Sequence, residues 1–218
     1  MSAQPNLLPF RAPSAPQSLV EKYRPHQLAE FCGITKPKEI LSRLAERPYS
    51  SSWIFTGESG TGKTTAAQAL AEMIPAEIQH IGSQELTISR IKEVWERCSQ
   101  YSSRSGWWLN LVDEVDTGSR AAQDYLLSRL DSTASAPDTI WVFTCNSTES
   151  FHPRFLSRSR VLEFSNYGIQ REAVELLQTV WDRETGGKTA PNLARIVKEV
   201  NGNVRAALMA LELEIMTS

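Results

Sequence analysis

Trp53-Ile54-Phe55-Thr56-Gly57-Glu58-Ser59-Gly60-Thr61-Gly62-Lys63-Thr64-Thr65 reads as an apolar run, a glycine-rich loop and the opening of a helix. The segment Gly57–Thr64 matches the pattern GxxxxGK[ST] in full. Its glycines lack a Cβ, so backbone amides can converge on a phosphate chain that side chains would hold away. The helix expected from Lys63 to about Met73 brings the positive end of its dipole to the same point. In this reading Gly57, Glu58, Ser59, Gly60, Thr61 and Gly62 cradle the phosphates of ATP. Lys63 reaches the β- and γ-phosphates, the Thr64 hydroxyl ligates Mg²⁺, and Thr65 joins the binding set.

Chemistry of the same kind continues downstream. Leu109-Asn110-Leu111-Val112 is an apolar strand that ends in Asp113-Glu114. A strand edge beside a phosphate loop places Asp113 where it holds Mg²⁺, and lets Glu114 polarise an attacking water. Asp116 is read as structural, a cap for the next helix. Thr144-Cys145-Asn146 closes the next apolar run. A polar amide at that end of a strand faces the ligand edge of an open α/β sheet. Asn146 therefore either orients the water between Glu114 and phosphate or simply opens the loop with Ser147-Thr148. Pro153–Arg160 carries Arg154, Arg158 and Arg160 just before the last strand, either as a solvated charge run or as a guanidinium offered to a neighbour's γ-phosphate. Gly202-Asn203-Val204-Arg205 opens the final helix, from which Arg205 points back at its own nucleotide or lies on the helix surface.

Around these motifs, apolar runs and helical periodicity alternate from residue 50 onward. Strands are expected at 53–56, 77–81, 107–112, 139–145 and 161–164, with helices at about 88–100 and 121–130. That alternation implies a parallel sheet covered on both faces. After Asn166-Tyr167-Gly168 only helical periodicity remains, at about 170–184, 191–200 and 203–216, which predicts a small three-helix lid. Residues 1–17, with prolines at 5, 9, 13 and 16, read as a poorly ordered arm. The expected organisation is thus an arm at 1–17, an α/β nucleotide-binding core at 18–166 and a helical lid at 167–218.

The bulk properties exclude several classes. With 23 basic and 25 acidic residues the net charge is -2, unlike a polycationic DNA-coating protein. The cysteines Cys32, Cys98 and Cys145 lie in apolar surroundings without CxxC spacing, so buried free thiols are expected rather than a disulfide or zinc site. The histidines His26, His80 and His152 are equally dispersed. No run is long and apolar enough to span a membrane, and a cytoplasmic protein without membrane partners is expected.

Taken in order, these motifs resemble the AAA+ ATPases of the clamp-loader clade, the replication factor C small subunits and their relatives. Val20-Glu21-Lys22-Tyr23-Arg24-Pro25 with Phe31-Cys32-Gly33 is similar to the clade's adenine-side signature, and Ser157-Arg158-Ser159 to its Ser-Arg-Cys segment. The resemblance covers about residues 18–216. It implies that Tyr23 and Arg24 lie near adenine, that Arg158 is a finger acting on the adjacent subunit's ATP, and that Arg205 is the second sensor. Arg154 and Arg160 stay as competing fingers. It implies an ATP-hydrolysing homo- or hetero-oligomer that loads or remodels a DNA-replication partner, such as a sliding clamp, a helicase or DNA. Because the clade's collar domain has no counterpart after the lid, a helicase loader, a mobile-element ATPase and a nucleotide-gated adaptor with little hydrolysis are the alternatives. Arg90, Lys92 and Arg120 either face a DNA channel or are solvated helix charges.

Overall fold

In the computed structural model, which describes residues 17–100, 103, 106–130, 136–149 and 151–217, helices α1 (Leu19–Lys22) and α2 (Thr35–Glu46) precede the first strand. The arm expected over 1–17 lies outside the described residues except for Gln17. Strands and helices then alternate as β1 (Ser51–Thr56), α3 (Lys63–Met73), β2 (Glu77–Ile81), α4 (Ile88–Gln100), β3 (Trp108–Val112) and α5 (Arg120–Arg129). They continue as β4 (Thr139–Cys145), α6 (Pro153–Arg158) and β5 (Arg160–Glu163), followed by α7 (Gln170–Thr185), α8 (Leu193–Glu199) and α9 (Val204–Thr217).

The five strands form one parallel sheet in the order β2-β3-β4-β1-β5, the α/β sheet with a helical appendage that the periodicity predicts. Successive side chains on a strand point to opposite faces, and the sheet sorts accordingly. Trp53 and Phe55 of β1, Leu109 and Leu111 of β3, and Ile140 and Val142 of β4 pack on one face against Ala66, Ala67 and Leu70 of α3. Ile54, Val112, Trp141 and Phe143 go to the other, against Ile91 and Val94 of α4 and Ala122 and Leu126 of α5. Covered on both faces, β3 and β4 are buried at every residue, which is why they read as unbroken apolar runs.

Three helices extend the expected pattern. α2 follows Ile34, itself in the left-handed region, and buries Pro37, Leu41 and Leu44 on one face. Its proline sits in the first turn, where no amide donor is needed. α6 likewise begins at Pro153, with the His152 ring accepting from the Arg154 amide. α1 belongs by packing to the lid. Leu19 is buried among Leu177, Trp181, Leu208 and Leu211, its amide donates to Glu212 Oε1 at 3.0 Å, and Lys22 pairs with Glu184 at 2.8 Å. A core-side segment thus completes the small hydrophobic core of α7–α9. Among the described residues no helix is long and apolar enough to cross a membrane.

Candidate phosphate-binding site

The loop after β1, the carboxylates after β3 and the amide after β4 meet at the carboxyl edge of neighbouring parallel strands, the edge at which open α/β sheets hold ligands. Gly57, Gly60 and Gly62 all have positive φ, at 144, 82 and 89°. At Gly57 the constraint is steric as well, since a Cβ would lie 2.0 Å from the Phe164 carbonyl oxygen. Gly57→Ala is therefore expected to destabilise the fold by about 2 kcal/mol or more, a fall in melting temperature of roughly 4–8 °C. Thermal unfolding measures this directly, and an unchanged midpoint would show that the loop relaxes freely.

Lys63 is buried at 9% exposure, and its Nζ donates to the carbonyls of Gly57 at 2.6 Å and Glu58 at 2.8 Å and to Asn146 Oδ1 at 3.3 Å. None of these partners is a carboxylate. Burial pushes the ammonium's pKa below its ordinary value, and the positive Arg205 adds to that, while Cys145, Asp116 and Asp113 pull it back up. A desolvated cation held by neutral oxygens is chemically suited to an anion.

Beside it, Thr64 Oγ1 donates to Asp113 Oδ1 at 2.9 Å, joining residues 49 apart in the chain. Two further side chains, not anticipated from sequence, fix that carboxylate. Thr144 Oγ1 reaches the same oxygen at 2.8 Å, and His80 Nε2 lies 2.7 Å from Oδ2. His80 is thus not one of a scattered set but the outer partner of Asp113. Its only sequence signal is a polar residue next to the end of a short strand. The Thr64 hydroxyl and the Asp113 carboxylate are hard oxygens at adjoining positions, the donor set that suits Mg²⁺. Among the described residues no group of three His, Cys, Asp or Glu side chains forms another metal site.

Glu114 is exposed and its backbone is left-handed, at φ 49°, ψ 48°. This costs a non-glycine residue about 1 kcal/mol or more. It is pinned from both sides, by its amide to Thr144 Oγ1 at 3.1 Å and by its carbonyl to the Thr117 hydroxyl at 2.8 Å. Asp116 does not cap the next helix as expected. Ser119 caps α5, and Asp116 Oδ2 instead accepts from the Asn146 amide at 3.0 Å, while its Oδ1 is buried without a partner. Ser119 immediately precedes the helix that begins at Arg120, whereas Asp116 lies in the short turn ahead of it. Asn146 is thereby held at both backbone and side chain beside Lys63.

A cleft of about 460 Å³ opens next to the loop, lined by Tyr23, Arg24, Phe31, Ile169 and Arg205 together with Gly60, Gly62 and Thr65. Tyr23 donates to Glu184 Oε1 at 2.5 Å, and burial together with that carboxylate pushes its pKa up to about 12. Arg24 pairs with Glu21 at 2.7 Å. Cys32 also lines this wall and is only half-buried, whereas Cys98 and Cys145 are buried free thiols as expected.

Arg158 is not brought to the phosphate loop. With Arg154 it lines a separate groove beside Arg120, Asp124 and His152, and its Nη1 donates to the Arg154 carbonyl at 3.2 Å. Arg160 stacks on Tyr49 at 5.2 Å and Trp53 at 5.5 Å. Arg90, Lys92 and Arg120 pair along their own helices with Glu93, Glu96 and Asp124, at 2.8, 3.6 and 3.6 Å.

Residues 53–167 match the ATPase family associated with various cellular activities (AAA). Replication-associated recombination protein A of Escherichia coli is 30% identical over 206 residues, covering 90% of this chain and 46% of that protein. The replication factor C small subunit of Methanothermobacter thermautotrophicus is 26% identical over 200 residues, covering 88% of this chain and 61% of the relative. This chain thus spans about half to three fifths of the length of these relatives. The Thermotoga maritima RuvB Holliday junction branch migration motor superposes with a TM-score of 0.70 at 21% identity, covering 87% of this chain and 64% of that one. At that identity the likeness concerns the fold alone.

Proposed function

The chain belongs to the AAA family of ATPases, related to the replication factor C small subunits and to replication-associated recombination protein A, and on that premise we propose that it binds and hydrolyses ATP as one subunit of an oligomer acting in DNA replication or recombination. The observation that carries this reading is the convergence of Lys63, Thr64, Asp113 and Asn146, from three separate loops, on one edge of the sheet.

In this reading the amides of the Gly57–Thr64 loop and the Lys63 ammonium bind the phosphates, and the cleft beside Tyr23 and Arg24 takes the base. Thr64 and Asp113 would hold Mg²⁺, whose charge offsets that developing on the transferred phosphoryl group. Thr144 and His80 keep the Asp113 carboxylate in one orientation. Asn146 positions a water, and the Glu114 carboxylate accepts its proton as the water oxygen attacks the γ-phosphorus and the bond to the β,γ-bridging oxygen breaks, that oxygen leaving with ADP. Arg205 reaches the phosphates from the lid. Arg158 acts on a neighbouring subunit's ATP, a role supported by its place in a groove that no residue of its own phosphate loop lines and by the stacking that commits Arg160 elsewhere. The relatives' names supply the setting in DNA replication or recombination, and a sliding clamp, a helicase or DNA is the partner class this suggests.

Lys63→Ala tests the premise. Removing a charged donor from buried phosphate contacts is expected to weaken ATP binding about 100-fold, as read by calorimetry on the pure protein. Wild-type protein that takes up no ATP, or a variant that binds it equally well, would remove the basis of the proposal.

A further inference from the structure

The residue that caps the last lid helix touches the phosphate loop. Asn203 caps α9, its Oδ1 accepting from the Ala206 amide at 3.1 Å, and its Nδ2 donates to the Ser59 carbonyl at 2.9 Å. The orientation of the amide follows from its partners, because only its oxygen can accept from Ala206 and only its nitrogen can donate to Ser59. The turn that presents it is built tightly. Asn201 and Gly202 adopt φ of 51 and 74°, the Gly202 amide donates to the Val197 carbonyl at 3.0 Å, and the Asn203 amide donates to Val200 at 2.9 Å. On the other side, a Cβ on Gly60 would lie 2.4 Å from Asn203 Oδ1 and 2.6 Å from Nδ2. Gly60 is therefore constrained from the lid as well as by its own φ of 82°.

We propose that Asn203 is a positioning residue that couples the phosphate loop to the lid, so that movement of the loop backbone around a bound phosphate is passed to α9 and to Arg205 in its first turn. This rests on the reading that the loop binds triphosphate, and adds the path by which the lid senses it. The contacts make the path short. Ser59 and Gly60 lie in the loop that cradles the phosphates, Asn203 bonds one and packs on the other, and Arg205 follows two residues later on a helix whose first turn Asn203 organises. Among the described residues, other hydrogen bonds between α7–α9 and the segment before the sheet, such as those the Gly33 amide donates to Glu172 Oε2 and Lys22 and Tyr23 donate to Glu184, do not touch the loop. A carbonyl acceptor is also the group that turns when a peptide amide swings toward phosphate, so the Ser59 bond responds to occupancy of the next amide in the loop.

Asn203→Ser and Asn203→Asp separate coupling from mere stability. Serine and aspartate cap helices about as well as asparagine. Serine is too short to span to Ser59, and aspartate has no hydrogen to give its carbonyl. Amide hydrogen exchange on the protein without nucleotide should rise about fivefold across residues 59–62 in both variants, the effect of one lost hydrogen bond. Exchange in the remainder of α7–α9 should hold, and the thermal midpoint should fall by no more than about 2–4 °C. With ATP, the wild type should gain protection at the start of α9, and the variants should gain it in the loop alone. Turnover should fall about tenfold in both variants through misplacement of Arg205, with ATP affinity changed less than about threefold in Asn203→Ser, while the carboxylate of Asn203→Asp lowers affinity further by repelling the phosphates. Loop exchange equal to wild type in both variants overturns the coupling, as does a uniform loosening of the whole lid, which a purely structural cap would give. Because the first measurement needs no ligand, a wild type that fails to bind ATP defeats the triphosphate reading while the latch is still decided by exchange.

Discussion

Replacing Glu114 with Gln is expected to leave ATP bound at close to wild-type affinity while lowering hydrolysis by roughly 10²–10⁴-fold, the range spanned by loss of a general base. The substitution isolates proton acceptance because nothing else at the position depends on the charge. The left-handed backbone is held by the Glu114 amide on Thr144 and the Glu114 carbonyl under Thr117, and both contacts survive in glutamine. Lys63, Thr64 and Asp113, the groups read as gripping phosphate and Mg²⁺, do not bond the Glu114 side chain. A carboxamide has no lone pair basic enough to take the water's proton, so binding and turnover should part company. Phosphate release at saturating ATP, alongside calorimetric affinity, reads both. Hydrolysis within about threefold of the parent would transfer the base to another group, of which Asp116, with one carboxylate oxygen buried and unpartnered, is the first to examine.

The elements of the sheet and the lid follow from local signals, and so they are legible in the chain. Gly57–Thr64 requires its loop whatever surrounds it, and the buried strands β3 and β4 announce themselves as unbroken apolar runs. Asp113 falls beside Thr64 because Asp113 follows β3 and the loop leading to Thr64 follows β1 at the same carboxyl edge of one parallel sheet, and the 2.9 Å hydrogen bond between them is what that topology produces. The missing pieces are relations between elements. His80 is one polar residue on a short strand, and only the pairing of β2 with β3 brings it to Asp113. Thr144 reads as one more β-branched residue until the sheet sets its hydroxyl against the same carboxylate. Leu19 looks like part of the core domain because it precedes the sheet, yet its packing partners are lid residues distant in sequence. Asn203 carries a cap signal that is local, while its bond to Ser59 depends on how the lid is seated. Glu114's positive φ has no sequence signal at all, since glutamate gives no hint of a left-handed backbone.

Arg158→Ala is the second change with a large expected effect, a loss of about 10³-fold in turnover, the contribution typical of an arginine supplied to a γ-phosphate. Its position predicts that the loss occurs in trans. Arg158 ends α6 in a groove with Arg154, Arg120 and His152, and no residue of the Gly57–Thr64 loop lines that groove. On the proposal that Arg158 completes the site of an adjoining molecule, wild-type specific activity should rise with protein concentration. Mixing supplies the decisive comparison. Arg158→Ala lacks a finger but keeps its phosphate loop, and Lys63→Ala lacks the loop's cation but keeps its finger. Neither alone should turn over, and together they should recover a fraction set by how often the two kinds of subunit adjoin. Arg158→Lys should not rescue, because an ammonium cannot reproduce the two-pronged contact of a guanidinium with phosphate. Arg154→Ala, tested in parallel, distinguishes the two arginines of the groove: activity lost there and kept in Arg158→Ala would move the finger by one turn of α6. Recovery absent from every mixture, with each variant folded and assembled, would place the arginine's action within its own subunit and remove the argument for a site shared between neighbours.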